Sequence, residues 1–204
     1  MNDERAQDAA ARVALSLLAE PGDADIGGRV QGYGAEQAAE MIRTNTPPPE
    51  IPARAWKAGL ARWTPRVAVL ASHDQRERAR RAGARLVIPG DDNWPHTVDD
   101  LGVHAPLLLW VLGDSTLLAS TQSVALVGAR AATGYGEHVV GEFADALARG
   151  GATIVSGGAY GIAGAAHRAA LGVGGHTVAG MAGGVDRPYP AGHAHLIAQL
   201  ARSG

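Results

Sequence analysis

The feature that most constrains this chain is a pattern repeated three times after residue 121. A short apolar segment runs into a glycine-rich loop, and a helix-forming segment follows. The apolar segments are Ser123–Val127, Thr153–Val155 and His176–Ala179, and the helices are predicted over 137–149, 162–171 and from about 191 onward. This alternation predicts an α/β fold, a partial Rossmann-like parallel sheet of three βα units joined by right-handed crossovers.

The residues before 121 predict a different organisation. Helices are expected over 3–19, 23–31, 34–43, 51–62 and 73–82, and short strands over 86–88 and 107–112. Pro65 should lie beyond the end of the fourth helix, and Ser72 should cap the fifth. Val67–Leu70 fits either a short strand or the start of the next helix.

Composition removes several classes of function. Cysteine is absent, which excludes disulfides, thiolate nucleophiles and cysteine-ligated metals. The net charge is −2, unlike a polybasic nucleic-acid binder, so any nucleic-acid site must be local. The longest apolar run, Ala105–Leu112, is too short to cross a bilayer, and the acidic N-terminus does not resemble a signal peptide. We expect a cytoplasmic protein.

The glycine-rich loops are the candidate binding site. Because parallel strands end at one edge of a sheet, the loops after the three predicted strands should lie side by side. Glycine lets backbone N–H groups converge on an anion, and helix N-termini add partial positive charge. Arg130 lies just past the first strand and can clamp a phosphate with two hydrogen bonds. The alternative is that these glycines only permit tight turns.

Three other sites are disfavoured. Arg130 occupies the place of the second glycine of a dinucleotide fingerprint, and Ser156 ends the second strand where an acidic residue would hold a ribose. Ser156 lacks the G-x-S-x-G context of a nucleophile, because Ile154 replaces the first glycine. His193 and His195, even with His176 and Asp186, match no zinc motif. We therefore expect no catalytic residue, no metal and no cofactor.

Several segments are recognisable together. They read SVALVGARAATGYG, ATIVSGGAYGIAGAAHRAAL, GGHTVAGMAGGVDRPYP and GHAHL, preceded by PGDDNWPHTVDDLGVHAPLLLWVLGD. Residues 123–195 strongly resemble the DprA/Smf family (DNA-processing protein A). The resemblance implies a non-enzymatic protein that binds single-stranded DNA and loads the RecA recombinase during natural transformation, as a homodimer. It implies a helical (SAM-like) module over 1–62, a connector with short strands over 63–120 and the N-terminal half of a Rossmann-like DNA-binding domain over 121–204.

The resemblance also implies which residues bind DNA phosphates. They are Gly128, Arg130, Ser156, Gly157, Gly158, Tyr160, Gly161, Gly183, Gly184 and Asp186, with Tyr189 and Pro190 matching the third loop. Three positions depart from the family pattern. Ala129 replaces a serine, Tyr160 takes a place that is often arginine, and Ala163 replaces an aspartate.

The family's Rossmann domain continues with further strands and a second basic segment. The resemblance implies that this part carries more DNA contacts, the dimer interface and the RecA contacts. We therefore expect a chain truncated within the Rossmann domain, with its dimer-interface segment missing and its function impaired. Two alternatives remain: a nucleotide-binding enzyme of the related phosphoribohydrolase fold, whose P-G-G-x-G-T-x-x-E run is absent, or a non-functional gene remnant.

Overall fold

The computed structural model describes residues 3–70 and 75–203, with side chains described outside 67–70. The α-helices of these residues are α1 (Asp3–Leu18), α2 (Ala24–Tyr33), α3 (Ala35–Thr44), α4 (Ala53–Leu70), α5 (Gln75–Arg81), α6 (Gly134–Arg149), α7 (Ile162–Gly172) and α8 (Ala194–Ser203). The strands are β1 (Arg85–Val87), β2 (Leu109–Val111), β3 (Ser123–Ala125), β4 (Thr153–Gly157) and β5 (Thr177–Gly180). Short 3₁₀ helices span His96–His104, Ser115–Ala119 and Ala191–His193. Along the described chain, no helix is both long enough and apolar enough to cross a membrane.

The chain forms two compact units. The first comprises residues 1–76, 86–91 and 96–109, and its core is built by helices α1 to α4. The Asp23 carboxylate caps α2 by accepting hydrogen bonds from the N–H groups of Asp25 and Ile26. Gly34 alone separates α2 from α3, and its positive φ of 81° allows the sharp change of direction.

The second unit comprises residues 77–85, 92–95 and 110–204. Its sheet has the order β3-β4-β5, and both pairings are parallel. Helices α6 and α7 pack closely because their contact face is built of small residues around Ile154, including Ala144, Ala166 and Ala170. The predicted α/β class, with a Rossmann-like parallel sheet of three strands, is confirmed.

Three local predictions are corrected. Helix α4 does not end before Pro65 but continues through it to Leu70, so 67–70 are helical. Helix α6 begins at Gly134 rather than 137, because the Thr133 hydroxyl accepts a hydrogen bond from the Gly136 N–H. The helical spacing of Val140, Phe143, Ala144 and Leu147 predicts that Phe143 lies on the packed face of α6, yet it is 60% exposed. The cap predicted at Ser72 lies outside the described residues.

Candidate functional site

Three loops leave the carboxyl edge of the parallel sheet. We define the first loop as residues 126–133 after β3, the second loop as 158–161 after β4, and the third loop as 181–190 after β5. Because β3, β4 and β5 are parallel neighbours, all three loops begin on the same edge. This is the position at which open α/β sheets bind ligands.

The first and second loops are in direct contact. The Ile162 N–H, in the first turn of α7, donates a hydrogen bond to the Ala129 carbonyl oxygen at 3.2 Å. Gly161 has a φ of +70°, and a Cβ at this position would collide with the carbonyl oxygens of Ala129 and Arg130. Only glycine therefore lets the two loops approach this closely.

Arg130 is held in place by its backbone while its side chain is exposed. Among the described residues, no carboxylate forms an ion pair with its guanidinium. The first loop ends at the Thr133 cap of α6, so its backbone lies next to the positive end of a 16-residue helix. Arg130 and two helix N-termini thus face the same edge.

Ser156 is tied into the sheet. Its side chain is buried, and its hydroxyl donates a hydrogen bond to the Leu126 carbonyl oxygen at 2.6 Å. The hydroxyl proton is therefore used to join β4 to the start of the first loop. In this arrangement Ser156 positions the loop, and its hydroxyl has no second proton to donate to a phosphate.

The second and third loops also meet. A Cβ at Gly158 would collide with the Met181 sulfur, so the third loop lies directly on this glycine. The His193 ring lies 3.1 Å from the Gly158 carbonyl oxygen through Nδ1. Because that oxygen can only accept, Nδ1 donates. Backbone at the second loop is thus fixed from two sides.

The Tyr160 side chain is held by two contacts and stays partly exposed. Its hydroxyl accepts a hydrogen bond from the Gly192 N–H at 3.2 Å, and its ring meets His193 edge-on with centroids 4.7 Å apart. The ring nevertheless stays about half exposed. Tyr160 therefore supports the turn before α8 and still presents an aromatic surface next to the second loop.

The third loop carries Gly183, Gly184 and Asp186. Gly183 has open space around its Cα, and Gly184 has a φ of +88°. The Asp186 carboxylate forms an ion pair with Arg78 of α5, with 2.6 Å between Oδ2 and Nη2. This hydrogen bond to Arg78 lowers the pKa of Asp186. Sequence reasoning did not find Arg78, because 108 residues separate the partners and no local pattern links them.

An apolar groove borders the first loop. It has a volume of about 580 Å³ and is lined by residues of the first loop and of α6. Its lining includes Val127, Tyr135 and Phe143, three large apolar side chains that are more than half exposed. The sequence gave no sign of this groove, because its lining residues are brought together only by the fold.

The histidines that the structure describes do not form a metal site. His167 is fully buried and His193 is nearly so, whereas His176 and His195 are exposed. In the part of the chain that the structure describes, no three histidine or acidic side chains converge as metal ligands would.

Comparison with known proteins identifies the family. The family model of DNA recombination-mediator protein A matches residues 85–204, which is more than half of the chain. The chain belongs to the DprA/Smf family. Its second unit, with the three loops, lies almost entirely within this match.

Individual members of the DprA/Smf family also match this chain. A DNA processing protein DprA of Mycobacterium tuberculosis, named as putative, is 42% identical over 201 residues, covering 93% of this chain and 50% of that protein. Protein Smf of Escherichia coli is 43% identical over 99 residues, or 48% of this chain and 26% of that protein. The crystal structure of DprA from Streptococcus pneumoniae superposes with a TM-score of 0.67 at 25% identity, covering 97% of this chain and 65% of that chain. The chain thus spans half or less of the two curated relatives named here, of which the first is named as a DNA processing protein.

Proposed function

We propose that this chain binds single-stranded DNA at the three loops and takes part in loading RecA recombinase, without catalysing a reaction itself. The observation that supports this most directly is the position of Arg130. Its backbone is packed on Gly161 of the second loop, while its guanidinium remains exposed and unpaired among the described residues. A guanidinium held in this way can bind a phosphate without first giving up a partner among the described residues.

The phosphate backbone would run along the carboxyl edge of the sheet. Arg130 would donate two hydrogen bonds to one phosphate, and the N-terminal ends of α6 and α7 would add partial positive charge. Backbone N–H groups of the glycine turns would approach the phosphates closely, since Gly158 and Gly161 have no side chain in the way. Ser156 and Tyr160 would shape the cradle more than contact the DNA.

The groove beside the first loop would receive bases. Binding of single strands without sequence preference combines phosphate contacts with aromatic stacking, at about 1–3 kcal/mol per stacked base. Tyr135 is 78% exposed and Phe143 is 60% exposed, and both line this groove. Tyr189 on the third loop is 70% exposed and offers a further surface.

Recombinase loading rests on the family. The matching model describes a DNA recombination mediator, and this description supports the proposed loading of RecA onto single-stranded DNA. We place this activity in the cytoplasm, in DNA uptake and recombination. The family resemblance assigns dimer formation and further RecA contacts to the part of the longer relatives that this chain does not match, so this chain would load RecA less well than a full-length relative.

Binding to a fluorescein-labelled oligo-dT, followed by anisotropy across a salt titration, tests the proposal. Arg130→Ala should weaken binding by about 1–3 kcal/mol and make the salt dependence shallower by roughly 0.7 in log K against log salt. Arg149→Ala is the matched control, because Arg149 lies at the far end of α6, the helix that follows the first loop, and pairs with Asp145. It should bind like the wild type.

Equal binding by Arg130→Ala and wild type would remove the first loop from the interface. If the wild type shows no affinity for oligo-dT at low salt, the proposed function is wrong for this chain. RecA loading is read separately, as faster strand exchange on oligonucleotides coated with single-strand-binding protein.

A further inference from the structure

Arg78 differs from its neighbours on α5 in where its ion-pair partner lies in the sequence. Arg80 and Arg81 both pair with Glu77, three and four residues away on the same helix. Arg78 instead reaches Asp186 on the third loop, with 2.6 Å between its Nη2 and Oδ2. The tertiary fold of the second unit, and not helix periodicity, therefore places this guanidinium at the third loop.

The Asp186 carboxylate is presented by a tight turn. Gly184 has a φ of +88°, and a Cβ there would lie 3.2 Å from Asp186 Oδ1, so the carboxylate lies over the turn. Arg78 lowers the pKa of this carboxyl, and Arg187 acts in the same direction. An ionised carboxylate on a loop of the cradle would repel DNA phosphates unless a cation balanced it. Arg78 supplies that balance.

Arg78 can exchange its ion-pair partner at little cost in free energy. A carboxylate and a phosphate offer a guanidinium the same kind of oxygen pair, so either can occupy it. Both side chains of the pair are partly exposed, and exposed ion pairs contribute little net stability. A DNA phosphate gains additionally from the release of counterions, which the carboxylate does not offer.

We propose that Asp186 stands in for a DNA phosphate on Arg78. It holds the guanidinium at the third loop in the free protein and yields it to the backbone when single-stranded DNA arrives. This inference rests on the proposed function. It adds Arg78, from the segment before the Rossmann-like sheet, as a phosphate-binding residue at the third loop.

The deciding variant removes both charges at once. Arg78→Ala/Asp186→Asn leaves the net charge of the chain unchanged, so the overall field on the DNA is retained. If Arg78 moves to a phosphate in the complex, this double variant should bind oligo-dT three- to tenfold more weakly than wild type. Its salt dependence should be shallower by roughly 0.7 in log K against log salt. Asp186→Asn alone, which frees Arg78, should bind at least threefold more tightly than wild type.

Arg149→Ala/Asp145→Asn is the matched control, since it removes a charge-neutral surface pair at the far end of α6. It should leave both the affinity and the salt dependence unchanged, and thermal melts should confirm that all variants are folded. Wild-type affinity and salt dependence in the Arg78/Asp186 double variant would overturn the inference while leaving the DNA-binding proposal intact, provided that Arg130→Ala still weakens binding. Absence of binding by every protein, wild type included, would overturn both.

Discussion

The Nε2 atom of His167 lies 3.1 Å from the carbonyl oxygen of Gly157, the last residue of β4. On the other side of the ring, Nδ1 lies 2.7 Å from the Thr177 hydroxyl of β5. His167 therefore joins α7 to two strands directly below the second loop. Because a carbonyl oxygen only accepts, Nε2 donates to Gly157. The Thr177 hydroxyl also lies 2.8 Å from the Ile154 carbonyl oxygen, and in the neutral ring its single proton is shared between that oxygen and Nδ1.

The first prediction concerns pH. Burial lowers the pKa of His167, and the nearby His193 and Arg168 act in the same direction. As the pH falls, the unfolded chain therefore binds a proton at His167 at a higher pH than the native protein does. The stability contributed by the neutral ring is fully present above about pH 6.5 and is lost as the pH falls through the lowered native pKa. Chemical denaturation of wild type between pH 5 and 8 should show this decline.

His167→Gln should lower the free energy of unfolding by about 1–3 kcal/mol at pH 7.5. The difference from wild type should shrink as the solution is acidified. His195→Gln, at an exposed position on α8, is the control and should stay within about 0.5 kcal/mol of wild type. A His167 variant that differs from wild type by the same amount at every pH would contradict the assignment of a neutral buried ring.

The second prediction concerns the contact between the first and second loops. Gly161→Ala places a methyl group against the carbonyl oxygens of Ala129 and Arg130, at a φ of +70° that disfavours alanine. We expect a loss of about 1–3 kcal/mol in unfolding free energy and weaker binding to oligo-dT, because the first loop must shift.

Gly172→Ala at the end of α7 is the matched glycine control, because it lies outside the three loops. It has no heavy atom within 4 Å of the new methyl group and no positive φ. Urea denaturation and anisotropy should therefore place it near wild type. If Gly161→Ala binds DNA as well as Gly172→Ala does, the exact approach of the two loops has no part in binding.

Much of the fold could be predicted because its signals are local. Apolar runs before glycine loops located β3, β4 and β5 to within two residues. The error at Pro65 came from the same kind of reasoning. Proline costs a helix one backbone hydrogen bond, but Pro65 and Ala61, whose carbonyl loses its donor, both face solvent. Trp63 is buried just before the proline, and Arg66 just after it pairs with Glu20, so tertiary contacts hold the helix together.

The site was predictable only in part, for a related reason. Glycine spacing identified the loops, and the order of the strands brought them together. What a side chain does there depends on partners distant in sequence. The Ser156 hydroxyl donates a hydrogen bond to the Leu126 carbonyl oxygen, and Asp186 forms an ion pair with Arg78. Phe143 lies outside the core and lines the groove. Periodicity carries no information about such pairings.

The third prediction concerns the first unit. Arg29 is 4% exposed and lies between two indoles, with its guanidinium carbon 5.2 Å from the Trp56 ring centroid and 4.9 Å from that of Trp63. Arg29→Ala should lower the free energy of unfolding by about 2–4 kcal/mol, since it removes both the packing and the cation–π contacts.

Arg29→Met should cost less than Arg29→Ala, because the methionine fills the space between the rings without burying a charge. Arg43→Ala is the control, because Arg43 forms an exposed pair with Glu40 on α3 and should change stability by less than about 1 kcal/mol. Indole fluorescence during denaturation reports directly on this cluster. Equal losses for alanine and methionine would show that the charge, and not the volume, is what the two tryptophans require.

The last prediction sets two helix glycines against each other. A methyl group at Gly141, in the middle of α6, meets no heavy atom within 4 Å, so alanine should gain about 0.5–1 kcal/mol through the lower entropy of the unfolded chain. A methyl group at Gly164, in α7, would collide with the His193 ring. Displacing that ring breaks its hydrogen bond to the Gly158 carbonyl oxygen, so Gly164→Ala should destabilise the protein and loosen the second loop. Thermal melts should move in opposite directions for the two variants. A shift of the same sign in both would mean that His193 is free to move and does not hold the second loop.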